Sequence, residues 1–178
     1  MRLPSRDEAI KLMREAGCSE GVIRHCKSVT RVALRIAEKL RMRGYNLDLS
    51  LIEIGGLLHD LGRAKTHGVE HGAIGGEMAR ERGLPEPIAR IIERHVGAGI
   101  APEEAKRLGL PDRDYIPRTL EEKVVAYADK LIEGEKEVDF KETLKRFIEE
   151  LGEDHPAIER MRRLHKEMMK LLGETIKE

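Results

Sequence analysis

The sequence predicts an all-α protein. Apolar residues recur at helical spacing in nearly every segment, no stretch alternates as a half-buried strand does, and capping residues precede the periodic runs. Ser5 and Glu8 form a capping box ahead of Ala9, Ile10, Leu12 and Met13, and Gly17 stops that helix. Ser19 caps a second helix that runs to about Arg43, with Gly44 after it. A third is predicted from about Asp48 to Leu61, capped by Asp48 or Ser50, with Leu51, Ile54, Leu58 and Leu61 on one face.

Arg63 to Gly68 lacks periodicity and reads as a loop, followed by a helix through Ile74, Met78 and Ala79 that ends near Gly83. Pro85 and Pro87 open a helix through Ile88, Ile91, Ile92 and His95. Val96 to Pro117, punctuated by Gly97, Gly99, Pro102 and Pro111, is the irregular stretch, with a short helix around Glu103 to Leu108. Thr119 and Glu122 box a helix through Val124 to Ile132, and two amphipathic segments follow, about Phe140 to Leu151 and Asp154 to Leu172. Without repeats or linker-like tracts, residues 1–178 are expected to be one domain in which 136–178 form a helical extension.

Composition narrows the function. The chain has 178 residues, 33 Lys plus Arg against 33 Asp plus Glu, and no long block of one sign, which argues against a nucleic-acid or anionic-membrane surface. Five aromatics, Tyr45, Tyr115, Tyr127, Phe140 and Phe147, with no Trp, leave no base-stacking platform. No apolar run approaches the roughly 20 residues that cross a bilayer, and no hydrophobic leader follows Met1 to Glu8, so a cytoplasmic location is expected. Cys18 and Cys26 read as reduced thiols. One Asn, no Gln and abundant Arg, Lys and Glu suggest a thermophilic source.

The chemistry lies in polar residues on apolar faces. His25 shares a stripe with Val22, Val29, Ala33 and Ile36; His71 lies with Ile74 and Met78; His95 lies with Ile88, Ile91 and Ile92. His59 ends the Leu51 to Leu58 face, and Asp129 sits among Val125, Ala128 and Ile132. Buried carboxylates at Asp60 and Asp129 need cations, and no Lys or Arg obviously shares their inward face, which points to metal. Imidazoles and carboxylates converging from several helices suit Fe, Mn, Ni, Co or Zn, while the lack of Cys ligands argues against structural zinc. A helical wheel turns Cys26 about 100° away from His25, and Lys130 is expected to face solvent.

The order and spacing of His25, His59-Asp60, His71, His95 and Asp129 resemble those of the HD-domain metal-dependent phosphohydrolases. The local wording does too, in Gly56-Leu57-Leu58-His59-Asp60-Leu61-Gly62-Arg63, Glu70-His71-Gly72-Ala73 and Ala128-Asp129-Lys130-Leu131, over about residues 20–135. The resemblance implies a helical bundle with a central metal cleft. It also implies that His25, His59, Asp60 and Asp129 hold one divalent metal and that His71 and His95, with Asp60 bridging, hold a second. Many two-metal relatives carry Lys where this chain has Arg63, a bidentate phosphate ligand assigned here to charge stabilisation.

Metal-activated hydroxide attack on phosphorus is therefore the expected chemistry, with Asp60 and Arg63 in the machinery and His67 able to contact phosphate or protonate a leaving oxygen. The favoured substrate is a small cyclic or nucleotide phosphodiester. Alternatives are a nucleotidase-like phosphomonoesterase, a di-iron oxygenase and a non-catalytic nucleotide sensor. His155 reads as a surface residue, His165 as a helix-edge one, and the Met161, Met168 and Met169 stripe as core or a homodimer surface.

Overall fold

The computed structural model describes residues 2–175. In chain order it contains α1 (Arg6–Ala16), α2 (Glu20–Met42), α3 (Leu49–Leu58), a 3-10 turn (Leu61–Ala64), α4 (His71–Glu81), α5 (Glu86–Arg94), α6 (Pro102–Arg107) and α7 (Leu120–Asp129). A two-stranded hairpin, β1 (Ile132–Glu133) and β2 (Lys136–Glu137), precedes α8 (Phe140–Leu151) and α9 (Pro156–Leu172). The fold is all-α, as the periodicity predicts. No helix is long and apolar enough to cross a membrane, among the described residues.

The caps act where the sequence puts them. Ser5 accepts from the Glu8 amide at 3.2 Å while the Glu8 carboxylate accepts from the Ser5 amide at 2.6 Å. Ser19 and Asp48 accept from Val22 and Leu51, and Thr119 completes its box with Glu122.

Two expectations are corrected. The third helix ends at Leu58, not Leu61, because the chain leaves α geometry at Asp60 (φ −96°, ψ 19°) and tightens into the 3-10 turn. The hairpin has no counterpart in the sequence reading: at two residues per strand it is too short to show a period of two, and Gly134 turns it at φ +59°.

Two apolar clusters flank the central helices. Val29, Val32, Ile36 and Leu40 of α2 meet Val124, Val125 and Tyr127 of α7 and Met161 and Met168 of α9. On the other side Met13, Ile23, Leu57, Leu58, Leu61, Met78, Ile88 and Ile92 pack together. Met161 and Met168 are thus core.

Glycines set the closest approaches. A Cβ at Gly62 would fall 1.8 Å from the His71 carbonyl oxygen and 2.8 Å from the Gly75 nitrogen, so the 3-10 turn lies directly on α4. A Cβ at Gly56 would fall 2.8 Å from Thr30 Oγ1, which presses α3 on α2.

Candidate metal centre

Six side chains meet between these clusters, five of them at or next to helix ends. His25 comes from the second turn of α2, His59 follows α3, and Asp60 leads into the 3-10 turn. His71 opens α4, His95 follows α5, and Asp129 ends α7. Helix C-termini leave backbone carbonyls unpaired; His59 and His95 use two of these, and His71 uses one in the turn before α4. Nδ1 of His59 donates to the Gly56 carbonyl at 2.7 Å, that of His71 to Gly68 at 2.8 Å and that of His95 to Ile92 at 2.7 Å. His25 donates in the same way to Gly134, at 2.7 Å, in the hairpin.

A carbonyl can only accept, so each Nδ1 carries a proton and Nε2 is the ring nitrogen left to face the centre. The four Nε2 atoms converge on shared space. His25 Nε2 lies 3.0 Å from Asp129 Oδ1 and 3.8 Å from Asp60 Oδ2, and His59 Nε2 lies 3.4 and 3.6 Å from the same two oxygens. His71 and His95 Nε2 stand 3.2 and 3.3 Å from Asp60 Oδ1. The Asp60 carboxylate is therefore divided, one oxygen toward each pair of histidines.

His59 Nε2 and Asp60 Oδ1 are buried without any hydrogen-bond partner, close neighbours notwithstanding. Imidazole nitrogens and carboxylate oxygens grouped as His25, His59 and Asp129 and as Asp60, His71 and His95, two of them unpartnered, fit divalent transition metal. The Nδ1 bonds are the outer partners that orient such ligands.

Charge is shared across the site: burial would lower the His59 imidazole, but Cys26, Asp60 and Asp129 outweigh it and hold the pKa well above the usual range. Burial alone would raise the Asp60 carboxyl, but His59, His71 and His95 outweigh it and hold the pKa well below the usual range. Asp129 is held low likewise, burial being outweighed by Lys130, His25 and His59. Burial pushes the His95 imidazole down to about 4, so this ring stays neutral near pH 7.

The missing cations turn out to be present. Arg63 Nε pairs with Asp60 Oδ2 at 3.0 Å. Lys130 is not in solvent: it is 5% exposed, with Nζ 2.5 Å from Asp129 Oδ2 and 3.4 Å from the His95 carbonyl. Because α7 stops at Asp129, the wheel that sends Lys130 outward no longer applies. Its own carbonyl accepts from Thr143 Oγ1 at 2.7 Å, tying α8 to the centre.

Cys26, turned away on the wheel, still has Sγ within 4.8 Å of donor atoms of His59 and Asp60, since α3 packs on that side of α2. Burial pushes its thiol up, so it stays protonated and is a poor ligand. His67 is exposed and joins neither ligand group; its carbonyl accepts from Arg63 at 3.5 Å. His155 is half-buried, not a plain surface residue: it caps α9 by accepting from the Ala157 amide. His165 stacks on Phe140 and bonds Tyr127.

A family model described as HD domain matches residues 22–134. An uncharacterized protein of Methanocaldococcus jannaschii is 48% identical over 166 residues, 93% of this chain and 98% of the relative. The tRNA (cytidine(56)-2'-O)-methyltransferase of Picrophilus torridus is 36% identical over 98% of this chain, which spans only 49% of that protein. Ribonuclease Y of Aquifex aeolicus is 38% identical over 48% of this chain and 15% of its own length. Among solved structures, the HD domain of the L. monocytogenes phosphodiesterase PgpH in complex with cyclic-di-AMP superposes with a TM-score of 0.56 at 16% identity, covering 96% of this chain and 99% of that one.

Proposed function

This chain belongs to the HD-domain family, and from that premise we propose that it is a metal-dependent phosphohydrolase that cleaves nucleotide phosphodiesters. The observation that supports a diesterase is the divided Asp60 carboxylate, Oδ1 toward His71 and His95 and Oδ2 toward His25 and His59. Such a set suits two metals, with His25, His59, Asp60 and Asp129 around one and Asp60, His71 and His95 around the other. Divalent metal bound there supplies Lewis acidity, lowering the pKa of water and offsetting the charge that develops on phosphoryl oxygens.

The chain's own groups do the rest. Asp60 keeps its charge because its pKa is depressed, and Arg63 Nε holds its Oδ2 while Nη1 reaches the His67 carbonyl, leaving Nη2 for a phosphoryl oxygen. Lys130 holds Asp129 ionised and in place. The imidazole of His67, exposed on the loop after Arg63, is available to protonate the leaving oxygen.

The relatives' names support a nucleotide substrate: one is a ribonuclease, and another structure holds a cyclic dinucleotide. Methyl transfer is not carried over, because the methyltransferase name belongs to a protein of which this chain spans about half.

The test is hydrolysis by protein reconstituted anaerobically with Mn or Fe(II), with Asp60→Ala as blank. Cyclic mononucleotides, cyclic dinucleotides and short oligoribonucleotides are compared with nucleoside monophosphates. Turnover of diesters above the blank is the expected result; turnover of monoesters alone replaces the reading with a nucleotidase, and no turnover by metal-loaded protein overturns it.

A further inference from the structure

A cavity of about 500 Å³ starts at the residues next to two of the histidines. Val96 follows His95 directly, one Cα step of about 3.8 Å, and Val69 stands two residues before His71; both line it. Further walls come from Phe147 and Leu151 of α8 and from Arg160 of α9, with Arg107 at the end of α6. Arg160 is fixed by Glu104 at 2.7 Å and by the Gly99 carbonyl at 3.1 Å, so α9 is strapped to the loop after His95.

Two features mark this cavity as more than a surface dent. The large exposed apolar side chains among the described residues are Met42, Tyr45, Val69, Leu108 and Leu151, and the last three all line this cavity. Single exposed apolar residues need no explanation, whereas their convergence on one concavity does. Arg107, also in the wall, makes no ion pair among the described residues; its Nε donates to the Glu103 carbonyl at 3.3 Å, so a cation without a carboxylate partner stands beside the apolar lining.

We infer that this cavity is the specificity pocket of the centre and receives one nucleoside flanking the scissile phosphate. The inference rests on the phosphodiesterase reading. The base lies against Phe147 and Val96, and Arg107 meets the sugar or the phosphate of the adjoining unit.

The volume is within the roughly 300–1,000 Å³ of small-molecule sites. A single aromatic ring, Phe147, suits one stacked base and not a strand of them. Glu104 and His155, which also line the cavity, are met by Arg160 and the Ala157 amide, but Glu150 has no partner among the described residues; a hydrocarbon group would leave it unmet, while a base or ribose can bond it. The walls from α6, α8 and α9 make the C-terminal helices the part of the chain that selects substrate.

The test reads binding, so it does not depend on turnover. Adenosine and guanosine are titrated into the full chain, metal-free and then with Zn²⁺, and methyl resonances are followed by NMR. Shifts at Val69, Val96, Leu108 and Leu151 in both states are expected, with binding weakened about tenfold by Phe147→Ala, the scale of one lost stacking contact. Leu151→Asp, at a side chain 43% exposed, weakens binding without touching the core and covers the case that Phe147→Ala fails to fold.

No shift at millimolar nucleoside, shifts elsewhere, or binding indifferent to both variants overturns the assignment. Nucleoside binding here in protein that hydrolyses no phosphodiester upholds the pocket and overturns the phosphodiesterase reading. Hydrolysis of nucleotides with this cavity unperturbed does the reverse.

Discussion

The Nε2 atoms of His71 and His95 face each other at 3.0 Å, while the Nδ1 of each ring donates to a carbonyl three residues before it. With both Nδ1 protons engaged, two ring nitrogens at that distance beside the unpartnered Asp60 Oδ1 form a ready cradle for a cation. Metal should therefore stabilise the fold as well as enable chemistry. At about 100 times Kd, one bound ion contributes roughly 2.7 kcal/mol, which for a chain of this size is a rise in Tm of about 5–10 °C. Calorimetry with Mn²⁺ and then with chelator should show the rise and its reversal; an unchanged Tm would count against the ligand set.

Asp60→Asn keeps the shape of the side chain but removes the charge shared by both histidine pairs. The variant should retain less metal by elemental analysis and lose at least about a hundredfold in diester hydrolysis, since losses of 10–100-fold already follow from altering outer partners alone. Full metal content in this variant would show that Asp60 does not bridge.

Gly62→Ala tests the backbone contact that seats the 3-10 turn on α4. Its Cβ would fall 1.8 Å from the His71 carbonyl oxygen, with no flexible side chain there to yield. The expected cost is about 3 kcal/mol or more, read as a lower denaturant midpoint, and metal content should fall with it because Asp60 and His71 are driven apart.

Acid should act on the metal-free protein in two stages. The His95 pKa is lowered from 6.5 to about 4 by burial, so the unfolded chain binds this proton more readily than the fold does. The stability it carries is full above the unfolded value and is lost as pH falls from about 6.5 toward 4, up to a few kcal/mol. Asp60 and Asp129 are shifted down as well, so their contribution is present above ordinary carboxylate values and goes only below about pH 3.8. Denaturant melts across pH should show the first decline vanish in His95→Gln, provided that variant folds; persistence of that decline would assign it elsewhere.

The helices and all six converging residues were readable because both depend on spacing. His25, His59, His71 and His95 interrupt apolar stripes, which periodicity exposes. What stayed hidden depends on where helices stop. The direction of Lys130 escapes a helical wheel because it follows from α7 ending one residue earlier, and the Arg63–Asp60 pair escapes it because the 3-10 turn breaks the wheel. Cys26 was set apart by its angle on α2, although α3 packs onto that angle. The cavity wall unites Val69, Val96, Phe147 and Arg160, which share no motif and meet only through tertiary packing.

The carbonyl partners of the four imidazoles also bear on the order of assembly. His59, His71 and His95 each bond a carbonyl three residues away, so their ring orientation is inherited from local chain and needs no distant partner. His25 waits for Gly134 and Asp129, separated from it by 109 and 104 residues. Closing loops of that length comes at greater entropic cost, and contacts across them form late. The half of the centre built on Asp60, His71 and His95 is thus of low contact order and the half built on His25 and Asp129 of high contact order. A chain folding in the presence of metal would capture its first ion at the former, and that ion would help to template the latter.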